Sequence, residues 1–212
     1  MTAARILQLN GDMTRDSPMM AVVRRIHVLC TSRELPYCVI GGMAVVRNGY
    51  PRTTIDVDVL TVKKNWLNAL PIEGEIASEG NDNCFDKETG VRIDILFADE
   101  DWGMVIPMPD PRKVGEFDEE LGGKFIGLHA LVQLKTAVYL DKLHEHGPAT
   151  AAKDLADVQA LMTNNLDKFS KEAMNGYDPA VRKHCTKILD EVLRVARRRK
   201  RRRRDIELYL RQ

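Results

Sequence analysis

The feature that most constrains this 212-residue chain is a pair of aspartates, Asp56 and Asp58, set in the β-branched run IDVDVL. Side chains on a β-strand alternate between two faces, so both carboxylates are predicted to lie on one face and Ile55, Val57 and Val59 on the other. Two carboxylates on one face repel each other, and a bound cation or open solvent usually stabilises such a pair. The sequence therefore predicts a strand with one apolar face and one acidic face.

Two adjacent glycines, Gly41 and Gly42, precede the aspartate pair by a short helix and a loop. Residues 37–40 are predicted to form a strand and residues 43–48 a helix, because the apolar run YCVI is followed by a glycine turn. Backbone N–H groups at a helix start lack partners within the helix, so they can face an anion. A glycine turn near a carboxylate pair suggests a site for a metal-bound nucleoside triphosphate.

A third aspartate, Asp94, lies in another strand-like run, VRIDILF, at residues 91–97. The apolar residues of this run alternate with Arg92, Asp94 and Leu96, so these three side chains are predicted to share a face. Asp94 can approach the first aspartate pair if the two strands are neighbours in one sheet. The three carboxylates together form the candidate metal site.

The order of these features resembles the signature of the DNA polymerase beta-like nucleotidyltransferase superfamily, in which two glycines are followed at a distance by Asp-x-Asp. The local form Arg52-x-Thr54-x-Asp56-x-Asp58 is similar to the branch that includes nucleotidyltransferase-type toxins of bacterial toxin–antitoxin systems. Antibiotic-modifying nucleotidyltransferases share the same core. The resemblance extends over about residues 37–162.

The resemblance implies a set of roles for these residues. In the family two aspartates ligate Mg²⁺ and a third carboxylate comes from a neighbouring strand, so Asp56, Asp58 and Asp94 are expected to be catalytic and to bind Mg²⁺ or Mn²⁺. The substrate would be an NTP whose phosphates approach the glycine backbone. The residues expected to bind the nucleotide are Gly41, Gly42, Arg52, Thr54, Lys153 and Asp154.

A helical region extends the resemblance, with GLHALVQLKTA at residues 127–137 and KDLADV at residues 153–158. In the toxin-like branch a lysine recurs on the first helix and a lysine–aspartate pair opens the second. Lys135, Lys153 and Asp154 are the matching positions. Lys135 is expected to be catalytic by neutralising triphosphate charge. A surface ion pair is the alternative explanation of Lys153 and Asp154, because such pairs are common.

Eight consecutive basic residues, RRRKRRRR, separate the chain into two parts of opposite charge. The net charge is +1, but without this run the chain would carry 24 basic and 31 acidic residues, a net charge of −7. The run is expected to bind the phosphate backbone of RNA. A targeting signal or membrane-surface patch, or pairing with acidic groups of the body or of a partner, stays open. Its members are Arg197, Arg198, Arg199, Lys200, Arg201, Arg202, Arg203 and Arg204.

The pattern of strands and helices predicts an α+β protein with a small mixed β-sheet nucleotidyltransferase core, flanking helices and a C-terminal helical bundle. The expected divisions are a core over residues 1–124, a helical domain over 125–190 and a basic helix or tail over 191–212. No apolar run approaches the ~20 residues of a membrane span, so a cytoplasmic location without a membrane partner is expected. The scattered cysteines indicate reduced thiols.

Apolar spacing and turn residues predict the remaining elements. Helices are expected from Pro18 to about residue 33, over residues 63–70, 128–143, 151–162 and 166–174, and after Asp178. Strands are expected over residues 53–60 and twice within 72–90, and residues 98–123 are expected to be irregular. Asp82 and Asp86 are interpreted as solvated turn residues, and Val195 is assigned to the apolar stripe of the last helix.

Three functions remain open at this stage. The first is transfer of NMP from an NTP to a hydroxyl of RNA, tRNA foremost, or of a protein, in a toxin-like role for which an antitoxin protein is a candidate partner. The second is a catalytically silent nucleotide- or nucleic-acid-binding module, suggested because many family members carry serine where Gly42 stands. The third is a small-molecule, antibiotic nucleotidyltransferase, which predicts an acidic pocket and no need for residues 197–204.

Overall fold

The computed structural model describes residues 17–62, 76–78 and 83–209, except for the side chains of residues 77, 78, 83 and 203–209. The chain divides into two compact units, Met1–Leu131 and Val132–Gln212. The first unit contains a β-sheet and the second is helical. The helix expected over residues 63–70 and the solvated Asp82 lie outside the described residues.

The described part of the first unit contains three helices and seven strands before the start of a fourth helix. The helices are α1 (Pro18–Ser32), α2 (Gly41–Arg47) and α3 (Pro111–Val114). The strands are β1 (Tyr37–Val39), β2 (Asp56–Thr61), β3 (Ile76–Ser78), β4 (Asn83–Asp86), β5 (Arg92–Phe97), β6 (Gly115–Asp118) and β7 (Gly123–Ile126).

All seven described strands belong to one mixed sheet in the order β3-β4-β5-β2-β1-β7-β6. Strand β2 pairs in parallel with β5, and β1 pairs in parallel with β7. The other neighbours run antiparallel. The predicted α+β class with a mixed sheet and flanking helices is confirmed, and the aspartate-bearing strand β2 lies at the centre of the sheet.

Helix α1 begins as the sequence predicts. The Ser17 hydroxyl accepts a hydrogen bond from the backbone N–H of Met20 at 3.2 Å, and Pro18 occupies the first turn, where its missing N–H is not needed. The helix packs against β2 and β7. Its buried stripe contains Met19, Val22, Val23, Ile26 and Cys30, which recur at helical spacing in the sequence.

The two central strands alternate between a buried apolar face and a partly exposed polar face. Val57 and Val59 of β2 are fully buried, as is Ile93 of β5, whereas the aspartates between them are half-buried. The prediction for the start of β2 is wrong in detail. The strand begins at Asp56 rather than at residue 53, and Ile55 lies before it with 39% of its surface exposed.

The prediction that residues 98–123 are irregular is also wrong. Asp110 accepts a hydrogen bond from the backbone N–H of Arg112 at 2.9 Å and thereby caps α3, which leads into β6. Strand β7 then starts at residue 123 and pairs in parallel with β1 through Val39 and Phe125. Four-residue strands carry too few alternations to be recognised from sequence. Strand β7 is defined by its pairing with the distant β1, and β6 by its hairpin with β7.

Asp86 corrects another expectation, because it is buried rather than solvated. Its carboxylate accepts hydrogen bonds from the Thr89 backbone and hydroxyl at 2.8 and 2.7 Å, and it forms an ion pair with Arg25 of α1. Burial by itself would raise the pKa of Asp86, but the hydrogen bonds from Thr89 and Arg25 outweigh it and hold the pKa below its usual value.

The second unit is helical throughout its regular structure. Helix α4 (Leu128–His146) begins in the first unit and continues into the second, where α5 (Pro148–Asn164) and α6 (Pro179–Tyr209) follow. The helix predicted over residues 166–174 is wrong, because Leu166–Lys168 and Ala173–Gly176 form separate 3₁₀ turns. Val195 on α6 is also corrected, since 47% of its surface is exposed.

The core of the second unit contains apolar side chains from α5 and α6, and the two helices are in contact. The Cys185 thiol of α6 donates a hydrogen bond to the Thr136 hydroxyl of α4 at 3.3 Å, and both side chains are buried. Among the described helices, none combines the length and the apolar character that crossing a bilayer requires.

Candidate metal and nucleotide site

The register of two parallel strands brings the three predicted aspartates together. Asp58 of β2 is the Cα partner of Asp94 of β5, and Asp56 is the partner of Arg92. Side chains on paired positions of neighbouring strands point to the same face of the sheet. The two runs are about equally long and share the period of two, so one parallel pairing aligns both sets of polar residues. The predicted convergence of the carboxylates is therefore confirmed.

The three carboxylates form a compact acidic group. One oxygen from each of Asp56, Asp58 and Asp94 lies within 4.8 Å of the others, and each residue is half-buried. No other cluster of three acidic, histidine or cysteine side chains with this spacing occurs in the described part of the chain. Carboxylate oxygens are the ligands that hard divalent cations such as Mg²⁺ and Mn²⁺ take, so this donor set fits a divalent cation.

The glycine pair gives the acidic group its room. Gly41 opens α2 with a positive φ of 58°, and the backbone N–H of the preceding Ile40 donates to the Asp58 carbonyl at 2.9 Å. A Cβ on Gly41 would lie 1.7 Å from Asp58 Oδ2. A Cβ on Gly42 would lie 2.3 Å from Thr54 Oγ1 and 3.0 Å from Arg52 Nη2. A side chain at either position would therefore displace the side chains packed against it, and the positive φ at Gly41 adds backbone strain there.

The loop before β2 positions two of the predicted nucleotide-binding residues. The Thr54 hydroxyl donates a hydrogen bond to Asp56 Oδ1 at 2.9 Å, which orients that carboxylate. The guanidinium of Arg52 donates to the Thr53 carbonyl at 2.9 Å and lies against Gly42. Arg52 and Thr54 are thus beside the glycine turn and the acidic group, where a nucleotide phosphate bound at this turn would need a cation and a hydroxyl.

Arg92 lies in this acidic group, although no role was predicted for it from the sequence. Its Nε donates to Asp94 Oδ1 and its Nη2 to Asp94 Oδ2, both at 2.6 Å. The hydrogen bond to Asp94 and the nearby charges of Asp94, Asp56 and Asp58 raise the pKa of Arg92. The alternation of side chains along the strand already placed Arg92 and Asp94 on one face, and this signal could have predicted that Arg92 contacts the acidic group.

In the second unit, the predicted catalytic Lys135 lies in a buried ionic cluster. Its Nζ is 2.9 Å from Asp154 Oδ1 and 3.1 Å from Asp157 Oδ2, and Lys142 Nζ is 2.7 Å from Asp154 Oδ2. Burial would raise the pKa of Asp154, but the charges and hydrogen bonds of the two lysines outweigh it, so its pKa is lowered. The sequence missed Lys142, which lies two turns along α4 from Lys135.

Lys153 differs from its neighbour Asp154. Asp154 is buried and binds the two lysines of α4, whereas Lys153 is exposed to solvent. The surface ion pair considered for Lys153 and Asp154 does not occur in the described structure, because the adjacent positions of a helix point in different directions. Of these two neighbouring residues, Asp154 is therefore a buried carboxylate and Lys153 an exposed cation.

The basic run lies on the last helix. Helix α6 continues without a break through residues 197–204, and every described side chain of the run, from Arg197 to Arg202, is exposed. Because successive residues on a helix are rotated by about 100°, consecutive basic residues surround the helix axis. Over residues 197–202, basic side chains therefore lie on all sides of the helix rather than on one face.

The sequence matches no protein-family model and no curated protein. Solved structures do resemble it. One is an antigenic nucleotidyltransferase-like protein from Paracoccidioides brasiliensis, with a TM-score of 0.51 and 18% identity over 70% of this chain and 77% of that one. Another is ANT(2")-Ia in complex with adenylyl-2"-tobramycin, with a TM-score of 0.51 and 14% identity over 79% of this chain and 97% of that one. The fold is therefore that of nucleotidyltransferases.

Proposed function

We propose that this protein is a metal-dependent nucleotidyltransferase that transfers NMP from an NTP to an acceptor hydroxyl and releases pyrophosphate. The observation that carries the proposal is the convergence of Asp56, Asp58 and Asp94 beside Gly41, on a fold shared with nucleotidyltransferases. Transfer of a nucleotidyl group requires little covalent help from a protein, and positioning and neutralisation of charge supply most of the rate gain.

The proposed roles follow from the chemistry of each group. Asp56 and Asp58, together with Asp94, would hold a divalent cation, which would supply neutralisation of phosphate charge and activation of the attacking hydroxyl. Asp94 lies on the side of the site where the acceptor binds. Its carboxylate accepts the proton of the acceptor hydroxyl as the oxygen of that hydroxyl attacks the α-phosphorus of the NTP. The bond from the α-phosphorus to the bridging oxygen breaks, and that oxygen leaves with pyrophosphate. Gly41 and Gly42 leave space for the phosphates.

The charged side chains around this core complete the proposal. Arg52 lies beside Gly42 and is assigned to the triphosphate, and the Thr54 hydroxyl holds Asp56 in place. In the second unit, Lys135, Lys153 and Asp154 keep the nucleotide-binding roles that the family resemblance implies. To bind the nucleotide, Lys135 would have to give up its contact with Asp154 or Asp157 and contact a phosphate instead.

For the acceptor we propose RNA, tRNA foremost, in a toxin-like role controlled by an antitoxin protein. The basic run supports this choice, because a helix with exposed basic side chains on all sides, as over residues 197–202, can bind a phosphate backbone. A small-molecule acceptor is the second candidate. It is favoured by the likeness to ANT(2")-Ia, which is covered over 97% of its length and was solved with adenylyl-2"-tobramycin.

One assay separates these acceptors. The full chain is incubated with each α-³²P-labelled NTP and Mg²⁺ or Mn²⁺, either with total RNA or with an aminoglycoside such as tobramycin. Label incorporated into RNA supports the first acceptor, and label on the aminoglycoside supports the second. If the full chain binds NTP but transfers label in neither reaction, it would instead be a catalytically silent binding module.

Matched variants test the proposed carboxylates. Asp58→Asn and Asp94→Asn are each expected to abolish transfer and the thermal stabilisation by metal and NTP, which arises because a ligand binds the native state preferentially. Glu119→Gln removes one exposed carboxylate outside the acidic group and is the control, expected to behave as the parent. Transfer at the parental rate in both aspartate variants would contradict the proposed site.

A further inference from the structure

Arg92 occupies both oxygens of one proposed metal ligand. Its guanidinium binds Asp94 through two parallel hydrogen bonds of 2.6 Å, from Nε to Oδ1 and from Nη2 to Oδ2. This fork-to-carboxylate geometry is the strongest arrangement that an arginine and an aspartate form. The position of Arg92 opposite Asp56 in the β2–β5 register places the same guanidinium beside the whole acidic group.

A divalent cation in the acidic group and the guanidinium of Arg92 would compete for the same carboxylate, that of Asp94. A cation held by the whole acidic group would take one oxygen from each carboxylate, and one of these oxygens would come from Asp94. Two cations at neighbouring positions repel each other, so the presence of one weakens the binding of the other. Binding of the cation at Asp94 is therefore expected to displace Arg92 from at least one oxygen.

The exposure of Arg92 makes such a displacement feasible. Its side chain is 60% exposed, while that of Asp94 is 20% exposed. An arginine at this level of exposure can swing into solvent without opening the core, and water can replace the hydrogen bonds to Asp94, which lowers the cost of breaking even a well-aligned exposed pair. Arg47 is a contrast within the same unit, because its side chain is only 17% exposed and lies over the Phe125 ring.

We propose that Arg92 is a built-in competitor of the catalytic cation: it neutralises the acidic group when no divalent cation is bound and releases Asp94 when one binds. This inference rests on the proposed function, since it concerns the same site. Arg92 is thus a positioning residue that sets the concentration of metal at which the site is filled, rather than a group that takes part in the transfer itself.

The test is a titration of the full chain with Mn²⁺ alone, at low ionic strength and without nucleotide, in which free Mn²⁺ is measured by electron paramagnetic resonance. Arg92→Gln is expected to lower the Kd for Mn²⁺ about threefold to fivefold, the upper range for loss of one exposed ion pair. Arg92→Lys is expected to give an intermediate Kd, because lysine keeps the charge but lacks the planar fork.

A matched control exists outside the acidic group. Arg112 binds Asp110, two residues before it, with Nε at 2.9 and 3.1 Å from the two carboxylate oxygens. Arg112→Gln removes a comparable local pair and is expected to leave the Kd for Mn²⁺ unchanged. Thermal unfolding of all variants checks that they are folded, and Arg92→Lys provides the comparison if Arg92→Gln is not.

The outcomes are distinguishable from those of the transfer assay. A Kd for Arg92→Gln that equals or exceeds the parental value overturns the inference, since a merely structural arginine would leave or weaken metal binding. A parent that binds no Mn²⁺ overturns both the inference and the proposed function. Tighter Mn²⁺ binding by Arg92→Gln without any nucleotidyl transfer by the parent supports the inference and contradicts the function alone.

Discussion

The carboxylate of Asp58 lies so close to Gly41 that a Cβ at residue 41 would fall 1.7 Å from Asp58 Oδ2. Atoms at that distance cannot coexist without bonding, so any other residue at position 41 must displace the carboxylate or the start of α2. The glycine turn and the acidic group are therefore one structural unit. Two features favour glycine at position 41. One is the Asp58 side chain on the neighbouring strand β2, and the other is the positive φ of 58°.

We predict that Gly41→Ala damages the metal site more than it damages the fold. The substitution forces Asp58 out of place, so the Kd for Mn²⁺ is expected to rise about tenfold or more, the scale found when groups that orient a metal ligand are lost. Gly103→Ala is the matched control. Gly103 has a φ of 66° but nothing within 4 Å of its Cβ position, so it tests backbone strain of about 1–2 kcal/mol alone.

Mn²⁺ titration and chemical denaturation of both variants measure these two effects separately. If Gly41→Ala binds Mn²⁺ as the parent does while both variants lose similar stability, the contact with Asp58 does not position a metal ligand.

Asp86 is predicted to stabilise the fold in a pH-dependent manner. Asp86→Asn should lower the free energy of unfolding by about 1–3 kcal/mol, because it weakens hydrogen bonds to a buried charge. The folded-state pKa of Asp86 is lowered, so its contribution is complete above the unfolded pKa of about 3.9 and is lost as the pH falls through the folded pKa. Urea unfolding at a series of pH values measures the difference.

Asp190→Asn is the control for this series. Asp190 pairs with Lys171 at 3.1 Å, but both side chains are about half exposed, so its loss is expected to change stability by less than about 1 kcal/mol. A difference between parent and Asp86→Asn that grows as the pH falls would contradict the assigned pKa direction.

Lys135 is predicted to matter for stability as well as for the proposed chemistry. Lys135→Met leaves the buried carboxylates of Asp154 and Asp157 with less compensation, which is expected to cost about 3–5 kcal/mol. Adding Asp154→Leu removes one of the uncompensated charges, so the double variant should regain part of this loss. Chemical denaturation of the two single variants and the double variant gives the coupling energy.

The same variants separate structure from chemistry at Lys135. If Lys135 contacts the nucleotide, transfer stays abolished in the double variant even where stability recovers. Additive stability losses would show that the ion pair of 2.9 Å contributes no coupling, and restored transfer in the double variant would exclude a catalytic role.

The basic run is predicted to determine the salt dependence of RNA binding. Replacing Arg197, Arg198, Arg201 and Arg202 by glutamine should reduce the slope of log K against log salt concentration by up to about 3, since each phosphate contact on a single strand contributes about 0.7. Fluorescence anisotropy of the full chain with a single-stranded RNA oligonucleotide over a sodium chloride series measures the slope.

Lys183→Gln/Lys187→Gln provides a comparison on the same helix, because both lysines are exposed and lie outside the run. An unchanged slope after the four arginine substitutions would show that the run makes no phosphate contacts, and the small-molecule acceptor would then be favoured.

Much of the site could be predicted because its pattern is local. The alternation around Asp56, Asp58 and Asp94 fixes which side chains share a face, and the structure confirms it. The short strands β6 and β7 could not be recognised in the same way. Strand β7 depends on its partner β1, which lies more than 70 residues earlier in the chain, and β6 in turn depends on its pairing with β7.

Local pattern also failed where a polar residue receives its partners from a distance. Asp86 follows a weak strand and precedes a turn, which suggests exposure, but Arg25 from α1 supplies a charge that allows its burial. Asp154 likewise reads as one half of a KD pair on α5, yet its partners are lysines on α4. The cost of burying a carboxylate is offset by contacts that sequence spacing does not contain.

The sequence by itself determined which residues carry charge, which faces they occupy and where α1 begins, because helix capping and the period of a strand are properties of neighbouring residues. Only the tertiary structure decided that β2 and β5 pair in parallel with Asp58 opposite Asp94, that Gly41 makes room for Asp58, and that Arg92 binds both carboxylate oxygens of Asp94. These relations depend on which strands pair and in what register, and burial of the whole apolar face selects that pairing.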